Sequence, residues 1–386
     1  MSVDRVPLSC AQLFPTLEAA QAATDCRLQV VVCPNCGHLW NDAHADIAEE
    51  IYNDDYYSSF THSPQARSYQ ESLARDLDSL IGVSGKTVLE VGCGDGFFLH
   101  TLGSLGAKAI GYEPSSTYAL AAEHQEIEVH HQYFSFDPTH EESGPADVIV
   151  MRHVLEHLMD PKDVLTSLSK KRFQNGHAQY LLIEVPNSLQ LLRDNLYFDF
   201  YNDHVHYFSE GSLRRLLKSA GWTHLAGIQS DGEFVRLLSV NNGDSEGEED
   251  AVSVLPAQVV KVAKTFHDSF GKWKTRLTGI IDGETSNGGR VALWGVGARG
   301  VSMLSGLGLP PDYFAYLVDS DVSKHGMFLP FADSPICSPD QMREDPADVV
   351  LVTSYTYFDE IFEQLAWFRS SGGKVIRAYP EPVLVA

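Results

Sequence analysis

The residues best suited to chemistry in this sequence begin with a glycine-rich turn flanked by carboxylates. In chain order these residues are Glu90, Gly92, Gly94, Asp95 and Gly96. Glycines at alternate positions let the backbone turn tightly out of a strand and approach a ligand closely. Phe97 stands where a dinucleotide-binding G-x-G-x-x-G turn has its third glycine, and the carboxylates would repel a pyrophosphate. They would suit a ligand that carries an ammonium or sulfonium group, although a glycine-rich turn without a specific ligand is the alternative interpretation.

A carboxylate at the end of the following strand extends this candidate site. Glu113 terminates the run AKAIGYE, 23 residues after Glu90. A carboxylate at this place can accept hydrogen bonds from both hydroxyl groups of a ribose. The two features together predict a cationic nucleoside as the ligand.

A second group of residues, Tyr201, Asp203 and His204, has the types needed to remove a proton from carbon. Methyl transfer to oxygen or nitrogen needs chiefly alignment, whereas transfer to carbon also needs a proton removed beside a carbonyl and the enolate stabilised. A neutral histidine is a suitable base near pH 7, a tyrosine hydroxyl can donate to the enolate oxygen, and a carboxylate can fix the imidazole tautomer. The alternative is an aromatic loop packed on the core, with its histidines bonded to backbone carbonyls.

The elements that position these residues alternate between strands and helices. From Lys86 onward, short runs rich in Val and Ile are separated by segments of helical length, which is typical of βαβ units and a parallel sheet. A hairpin around Gly232 ends this region, and an acidic linker over 243–251 follows it. Apolar residues at helical spacing predict a helix over about 252–281. A second, smaller run of strands and helices then begins at Arg290.

The second run of strands opens with its own glycine-rich turn. Gly295, Gly297 and Gly300 satisfy G-x-G-x-x-G after a strand, and Asp319 ends the next strand. Arg299 within the turn could offer its guanidinium to a phosphate. Three interpretations stay open: a site for the nucleotide part of a substrate, a nicotinamide dinucleotide site, and a structural domain without a ligand.

The charge balance and the cysteines narrow the class of protein. With 28 Lys and Arg against 52 Asp and Glu, the net charge of −24 provides no positive field for nucleic acid or anionic lipid. No apolar window reaches the length of a membrane span, and no secretory leader is recognisable. We therefore expect a cytoplasmic monomer or homodimer that acts on a small molecule. In a reducing compartment, Cys33 and Cys36, spaced C-x-x-C, indicate metal or redox chemistry more than a disulfide.

The glycine-rich turn from Glu90 to Gly96, followed by a strand-terminal Glu113, resembles motifs I and II of the class I S-adenosylmethionine-dependent methyltransferases. Combined with the Cys33-Pro-Asn-Cys36 segment and a C-terminal turn at Gly295, it is similar to the three-part C-methyltransferases, above all the sugar C-methyltransferases that act on nucleotide-linked 4-keto-6-deoxy sugars. The resemblance covers nearly the whole chain.

The resemblance implies an α/β fold with three parts. These are a seven-stranded class I methyltransferase core, a second and smaller Rossmann-like α/β domain, and a small cysteine-containing N-terminal cap. The corresponding divisions are a cap over 1–45, an aromatic and helical segment covering the substrate over 46–80, the S-adenosylmethionine-binding core over 81–245, an acidic linker and helix over 246–285, and the Rossmann-like domain over 286–386.

The resemblance also implies roles for individual residues. S-adenosylmethionine would contact Phe134 beside the adenine and His153 after the fourth strand, in addition to Glu90, Gly92, Gly94, Asp95, Gly96 and Glu113. In the segment Phe200–His204, His204 would act as the base, with Tyr201 and Asp203 beside it and His157 as another active-site histidine. A helix start with two solvated histidines is the alternative for His153 and His157. Tyr56 and Tyr57 would cover the substrate, for which simple packing is the equal alternative.

Two departures from the family pattern limit what can be carried over. The family has two C-x-x-C pairs that hold one zinc ion, but this sequence has only the pair Cys33 and Cys36. Cys10 and Cys26 would have to complete the site at a spacing that does not match known zinc motifs. The residues around His153–His157 and Val205–His206 also differ from the sugar enzymes, so the reaction type is better supported than a deoxysugar substrate.

The sequence therefore predicts an S-adenosylmethionine-dependent methyltransferase that methylates carbon beside a carbonyl, with a nucleotide-linked keto sugar or a related small metabolite as substrate. The alternatives are a nicotinamide-dependent oxidoreductase that uses the Gly295–Gly300 turn, an O- or N-methyltransferase of a small metabolite, and a binding or scaffold protein without catalysis.

Overall fold

Three β-sheets organise the part of the chain that the computed structural model describes. The described residues are 1–10, 12–44, 64–115, 127–136, 146–170, 178–228, 232–241, 254–309 and 311–386. Within them, no helix combines the length and the apolar character needed to cross a bilayer.

The N-terminal sheet has four antiparallel strands and includes one strand from far along the chain. Its strands are β1 (Ser2–Pro7), β2 (Asp25–Val32), β3 (Leu39–Asn41) and β9 (His206–Tyr207), and a short helix, α1 (Leu17–Gln21), joins the first two. In β9, His206 pairs with Trp40 and Tyr207 with Leu39. This pairing ties the segment after His204 to the N-terminal sheet.

The central sheet has seven strands in the order β10-β11-β8-β7-β4-β5-β6. Its strands are β4 (Thr87–Val91), β5 (Lys108–Tyr112), β6 (Ile127–His130), β7 (Val148–Arg152), β8 (Gln179–Pro186), β10 (Thr223–Gly227) and β11 (Phe234–Asn241). β11 runs antiparallel to both neighbours, while the other pairs are parallel. This confirms the predicted class I methyltransferase sheet and its closing hairpin.

Buried residues alternate between the two faces of this sheet. Val88 packs on one face with Leu77 and Phe98, while Leu89 packs on the other with Leu165 and Leu213. A central parallel strand must be apolar on both faces because helices cover both. The covering helices are α2 (Pro64–Ile81), α3 (Phe97–Ser104), α4 (Pro161–Lys170) and α6 (Glu210–Ser219). A further helix, α5 (Ser188–Arg193), follows β8 and buries its leucines in the core around the C-terminal sheet.

The C-terminal sheet has six strands in the order β14-β13-β12-β15-β16-β17, of which only β17 is antiparallel. Its strands are β12 (Val291–Trp294), β13 (Tyr316–Val318), β14 (Ile336–Cys337), β15 (Val349–Val352), β16 (Lys374–Arg377) and β17 (Val383–Leu384). Its helices are α7 (Pro256–Thr285), α8 (Ala298–Leu307), α9 (Pro339–Glu344), α10 (Phe358–Gln364) and α11 (Ala366–Ser370). The second, smaller Rossmann-like unit is thus confirmed.

The segment Asn195–His204 lies between the central and the C-terminal sheets. The Tyr197 ring packs on Phe266 and Trp273 of α7, with ring centroids 4.5 and 5.4 Å apart. Phe198 lies against Gly306 of α8 so closely that a Cβ on that glycine would come within 2.4 Å of Cε1 of the Phe198 ring. The C-terminal unit therefore fixes the backbone that leads to His204.

This contact predicts that Gly306→Ala destabilises the protein by about 1–3 kcal/mol, because the added methyl group overpacks the interface with Phe198. Gly283→Ala is the matched control, since Gly283 also lies within a helix and a Cβ there would meet no atom within 4 Å. Alanine there should be neutral or stabilising by up to about 1 kcal/mol. Urea unfolding measures both changes, and equal free energies of unfolding for the two variants would contradict the packing.

Candidate active site

The turn after β4 lies directly against the turn after β7. Gly92 has φ +69°, and a Cβ on it would come within 2.7 Å of Cγ2 of Val154. The carboxyl ends of neighbouring parallel strands meet at one edge of the sheet, where α/β proteins bind their ligands. The glycine-rich turn and the segment Leu155–His157, a short 3-10 turn, therefore border the same place.

Glu113 closes the glycine-rich turn from the end of the neighbouring strand. Its Oε2 accepts a hydrogen bond from the amide of Gly94 and its Oε1 accepts one from the amide of Ser115, both at 3.0 Å. Burial raises the pKa of this carboxyl group, and the two amides act in the opposite direction. Each carboxylate oxygen has a second lone pair, so Glu113 can also accept from the two hydroxyl groups of a ribose.

Glu90 places a second buried carboxyl group beneath the turn. It is 2% exposed, and its Oε2 accepts no hydrogen bond from the described residues. Burial raises its pKa to about 8, although the Arg152 guanidinium, 3.7 Å from Oε1, lowers it. A buried carboxyl group with one oxygen left without a hydrogen bond from the described residues, beside an open glycine turn, fits a ligand with a positive charge. The residues of this turn thus fit S-adenosylmethionine.

The other residues predicted to hold the cofactor lie around this turn. Asp95 accepts a hydrogen bond from the amide of Phe97, and Gly96, with φ +75°, precedes α3. Phe134 is buried with its ring edge-on to Tyr112, at a centroid distance of 5.0 Å. The position of each is now known, while their contacts with the cofactor stay a prediction.

His153 has a structural task that the sequence did not indicate. Its ring lies between two buried carboxylates, 3.6 Å from Glu156 and 3.3 Å from Glu184. Burial lowers the pKa of His153, but these two acids outweigh that effect and raise it to about 9. His153 is therefore a cation near pH 7 that compensates their negative charge.

His157 and His204 form a pair at the centre of the site. Their rings are edge-on with centroids 4.7 Å apart. His157 Nδ1 lies 2.8 Å from the backbone carbonyl of Asp203. A carbonyl only accepts hydrogen bonds, so Nδ1 of His157 is protonated and Nε2 carries the lone pair in the neutral ring. His204 is 9% exposed, and burial followed by the charges of His157 and His153 lowers its pKa well below 6.5.

Glu156 completes this cluster, and sequence reasoning missed it. One of its carboxylate oxygens, one nitrogen of His157 and one of His204 all lie within 4.8 Å of one another. Glu156 is 1% exposed, and its oxygens accept no hydrogen bond from the described residues. The signal in the sequence is the spacing His153-Val-Leu-Glu156-His157, which places a glutamate between the two histidines. These three donors are types that serve acid and base chemistry and that also bind divalent metal ions.

The structure differs from the expected roles of Asp203 and Tyr201. The Asp203 carboxylate accepts a hydrogen bond from Ser9 Oγ at 3.3 Å, and it is the backbone carbonyl of Asp203 that orients an imidazole. The Tyr201 hydroxyl donates to Asp199 Oδ1 at 2.9 Å, so its one proton is not directed at a substrate. The Tyr201 ring instead lies edge-on to His204, with ring centroids 5.1 Å apart.

Arg299 does not have the role that the sequence suggested. Its guanidinium forms a two-pronged ion pair with the Asp199 carboxylate, and the Arg299 side chain is 17% exposed. The expectation that Arg299 meets a phosphate is therefore corrected, because a carboxylate of the protein already neutralises it. At the end of β13, Asp319 is likewise paired, with Lys324 Nζ at 3.0 Å.

The cysteines do not come together as a zinc site. Cys10 is buried with its Sγ 3.3 Å from Ser302 Oγ, on the side of α8. Throughout the described ranges, the cluster at Glu156 is the only group of three or more potential metal ligands. The idea that Cys10 and Cys26 complete a four-cysteine site with Cys33 and Cys36 is therefore wrong. Tyr56 and Tyr57 lie outside the described residues.

Comparison with known proteins identifies the two larger parts of the chain. A methyltransferase domain model matches residues 65–226, and a C-methyltransferase C-terminal domain model matches residues 248–380. The C-methyltransferase NovU of Streptomyces niveus is 26% identical to this chain, over 93% of the chain and 87% of that protein. A methyltransferase domain followed by a C-methyltransferase C-terminal domain is the organisation of an S-adenosylmethionine-dependent C-methyltransferase. These matches confirm the predicted cofactor and the methyltransferase activity.

Two further similar proteins match only part of this C-methyltransferase. The ubiquinone biosynthesis O-methyltransferase of Aliivibrio fischeri strain ES114 is 31% identical, over 26% of this chain and 46% of that protein. Among solved structures, the magnesium protoporphyrin IX methyltransferase of Synechocystis PCC 6803 with bound SAH is similar over 48% of this chain and 90% of that one. The two have a TM-score of 0.37 and 16% identity.

The geometry of Glu113 predicts that Glu113→Gln raises the dissociation constant of S-adenosylhomocysteine about tenfold. Hydrogen bonds to a charged group contribute about 1.5–3 kcal/mol, and the amide of glutamine can accept only part of the hydrogen bonds that the carboxylate accepts. Isothermal titration calorimetry measures the change. Glu128→Gln is the matched control, since Glu128 lies on the next strand with its side chain 57% exposed. Equal affinities for wild type and Glu113→Gln would contradict the assigned role.

Proposed function

We propose that this C-methyltransferase methylates a carbon atom next to a carbonyl group, and that His204 is the base that removes the proton from that carbon. The observation that carries the proposal is the cluster of His204, His157 and Glu156 beside the glycine-rich turn, in which His204 and Glu156 are buried. A C–H group beside a carbonyl is much less acidic than a hydroxyl or ammonium group, so methylation of carbon makes the strongest demand for a positioned proton acceptor.

The lowered pKa of His204 supports this role because it keeps the ring neutral at physiological pH, with a lone pair available to accept a proton. When the C–H bond breaks, the proton moves to the imidazole and the electron pair stays with the substrate as an enolate. The buried Glu156 carboxylate can then stabilise the imidazolium. When bound, S-adenosylmethionine would supply the electrophilic methyl group: the enolate carbon would form the new C–C bond as the S–CH3 bond breaks, and S-adenosylhomocysteine would leave with that electron pair.

We propose a nucleoside-diphosphate-linked 4-keto-6-deoxy sugar as the substrate class. A ketone beside a C–H group provides the acidity that a histidine base requires, and the sequence motifs are similar to those of enzymes that act on such sugars. We also propose that the domains of the chain divide at residues 45, 80, 245 and 285, as the sequence predicts. The oxidoreductase alternative gains no support, because Arg299 of the second glycine-rich turn and Asp319 at the end of β13 are already paired within the protein.

The proposal predicts that His204→Ala lowers turnover at least about a hundredfold, in line with the usual contribution of a general base. The affinity for S-adenosylhomocysteine should change less than about twofold, because His204 is proposed to act on the substrate and not on the cofactor. Turnover is followed as S-adenosylhomocysteine release with a nucleoside-diphosphate 4-keto-6-deoxy sugar, in the presence of EDTA so that a metal ion plays no part. The matched control is His267→Ala, at an exposed position on α7. Wild-type turnover in His204→Ala would disprove the assignment of the base.

A further inference from the structure

The glycine-rich turn of the C-terminal unit binds two acids of the methyltransferase half. Arg299 Nε pairs with Asp199 Oδ1, Arg299 Nη2 lies 2.6 Å from Asp199 Oδ2, and the same Nη2 lies 3.7 Å from Glu233 Oε1. Asp199 is 5% exposed. A two-pronged pair between a guanidinium and a carboxylate fixes both groups in distance and in angle.

The turn itself is held rigidly around this ion pair. Thr353 Oγ1 donates a hydrogen bond to the carbonyl of Gly295, and a Cβ on Gly300 would come within 2.8 Å of that same carbonyl oxygen. Nearby, Tyr355 donates to Asp194 at 3.0 Å and Thr356 donates to Glu233 at 2.9 Å. Arg299 is therefore a fixed point to which the methyltransferase half is attached.

Asp199 connects this fixed point to the candidate active site. Its Oδ1 accepts the hydrogen bond from the Tyr201 hydroxyl, and the Tyr201 ring lies edge-on to the His204 ring at 89°. The contacts thus run without a gap from Arg299 through Asp199 and Tyr201 to His204. A buried carboxylate that lost its cation would take up a proton or move, and the hydrogen bond from Tyr201 would weaken with it.

We propose that Arg299 is a positioning residue for catalysis, which acts through Asp199 and Tyr201 on the orientation of His204. The inference rests on the proposed function only in that His204 is the base. It gives the second G-x-G-x-x-G turn a task different from nucleotide binding: its arginine binds a carboxylate of the protein and so holds the active-site segment in place.

The first test is a double-mutant cycle on turnover in the full-length protein. Arg299→Gln should lower kcat by about tenfold to a hundredfold, since small misplacements of a catalytic group have effects of that order. Its effect on the KM for the keto sugar and on the affinity for S-adenosylhomocysteine should stay within about twofold. Arg299→Lys, which keeps the charge but loses the two-pronged geometry, should recover part of kcat.

The cycle is completed with Tyr201→Phe, which removes the hydroxyl group that Asp199 holds. If Arg299 acts through Tyr201, then adding Arg299→Gln to Tyr201→Phe should lower kcat no further. If the fold-loss of kcat in the double variant equals the product of the fold-losses in the two single variants, the proposal is overturned. An unchanged kcat in Arg299→Gln would also overturn it. Arg290→Gln is the matched control, because Arg290 also forms a two-pronged pair, with Asp345, but on the exposed surface of the same unit.

A second measurement does not depend on turnover. The measurement is the NMR spectrum of protein whose histidine rings are isotope-labelled. In this spectrum the signal of the His204 ring is identified by its loss in His204→Gln. Arg299→Gln should shift this signal, Arg290→Gln should not, and in the Tyr201→Phe background Arg299→Gln should cause no additional shift. An unmoved His204 signal in Arg299→Gln overturns the proposal. Shifts as expected, together with no turnover of any keto sugar by wild type, would support the positioning contact and reject the proposed reaction instead.

Should Arg299→Gln not fold, as judged by thermal unfolding and loss of S-adenosylhomocysteine binding, Asp199→Asn takes its place. Asparagine keeps the shape of the side chain but loses the charge that pairs with Arg299. The same outcomes apply: a shifted His204 signal and a lower kcat only while Tyr201 is present support the proposal, and their absence overturns it.

Discussion

Buried backbone groups must find hydrogen-bond partners, and around His204 these partners come from separate parts of the chain. The amide of Val205 donates to the carbonyl of Glu156, and the carbonyl of Val205 accepts from the amide of Asn41. The carbonyl of Asp203 is bound by the His157 ring. The short path from Asp203 to Val205 is thus fixed by the turn after β7 and by the N-terminal sheet. Everything proposed for His204 depends on this constraint, since a base must be held within reach of its proton.

Charge compensation explains how so many acids are buried close together. Glu90, Glu156 and Glu184 are each at most 2% exposed. Arg152 lies beside both Glu90 and Glu184, protonated His153 lies between Glu156 and Glu184, and Arg236 pairs with Glu184 at 2.7 Å. Three cations thus compensate three buried acids. Glu90 and Glu156 nevertheless keep oxygens that accept no hydrogen bond from the described residues, and these oxygens can interact with a cationic methyl donor and with an imidazolium at His204.

Much of the fold could be predicted from the sequence because it depends on local signals. Alternating Val and Ile runs, the glycines from Gly92 to Gly96 and the strand-terminal Glu113 sufficed for the central sheet and its cofactor turn. The partners of Arg299, Tyr201 and Asp203 could not be predicted, since each pairing joins residues that are far apart in sequence or depends on rotamers. Arg299 and Asp199 are separated by 100 residues, and no spacing rule connects them. Glu156 was missed because a glutamate beside two histidines has the same sequence signature whether it is solvated or buried. The domain limits and the contacts of the cofactor residues stay predictions.

The most direct test of the central claim is the position of the transferred methyl group. Wild-type protein is incubated with S-adenosylmethionine carrying a 13C-labelled methyl group and with a nucleoside-diphosphate 4-keto-6-deoxy sugar, and the product is examined by carbon NMR. A labelled methyl group bonded to the carbon next to the ketone, formed by wild type and not by His204→Ala, is the predicted result. A labelled methyl group bonded to oxygen or nitrogen would contradict the account.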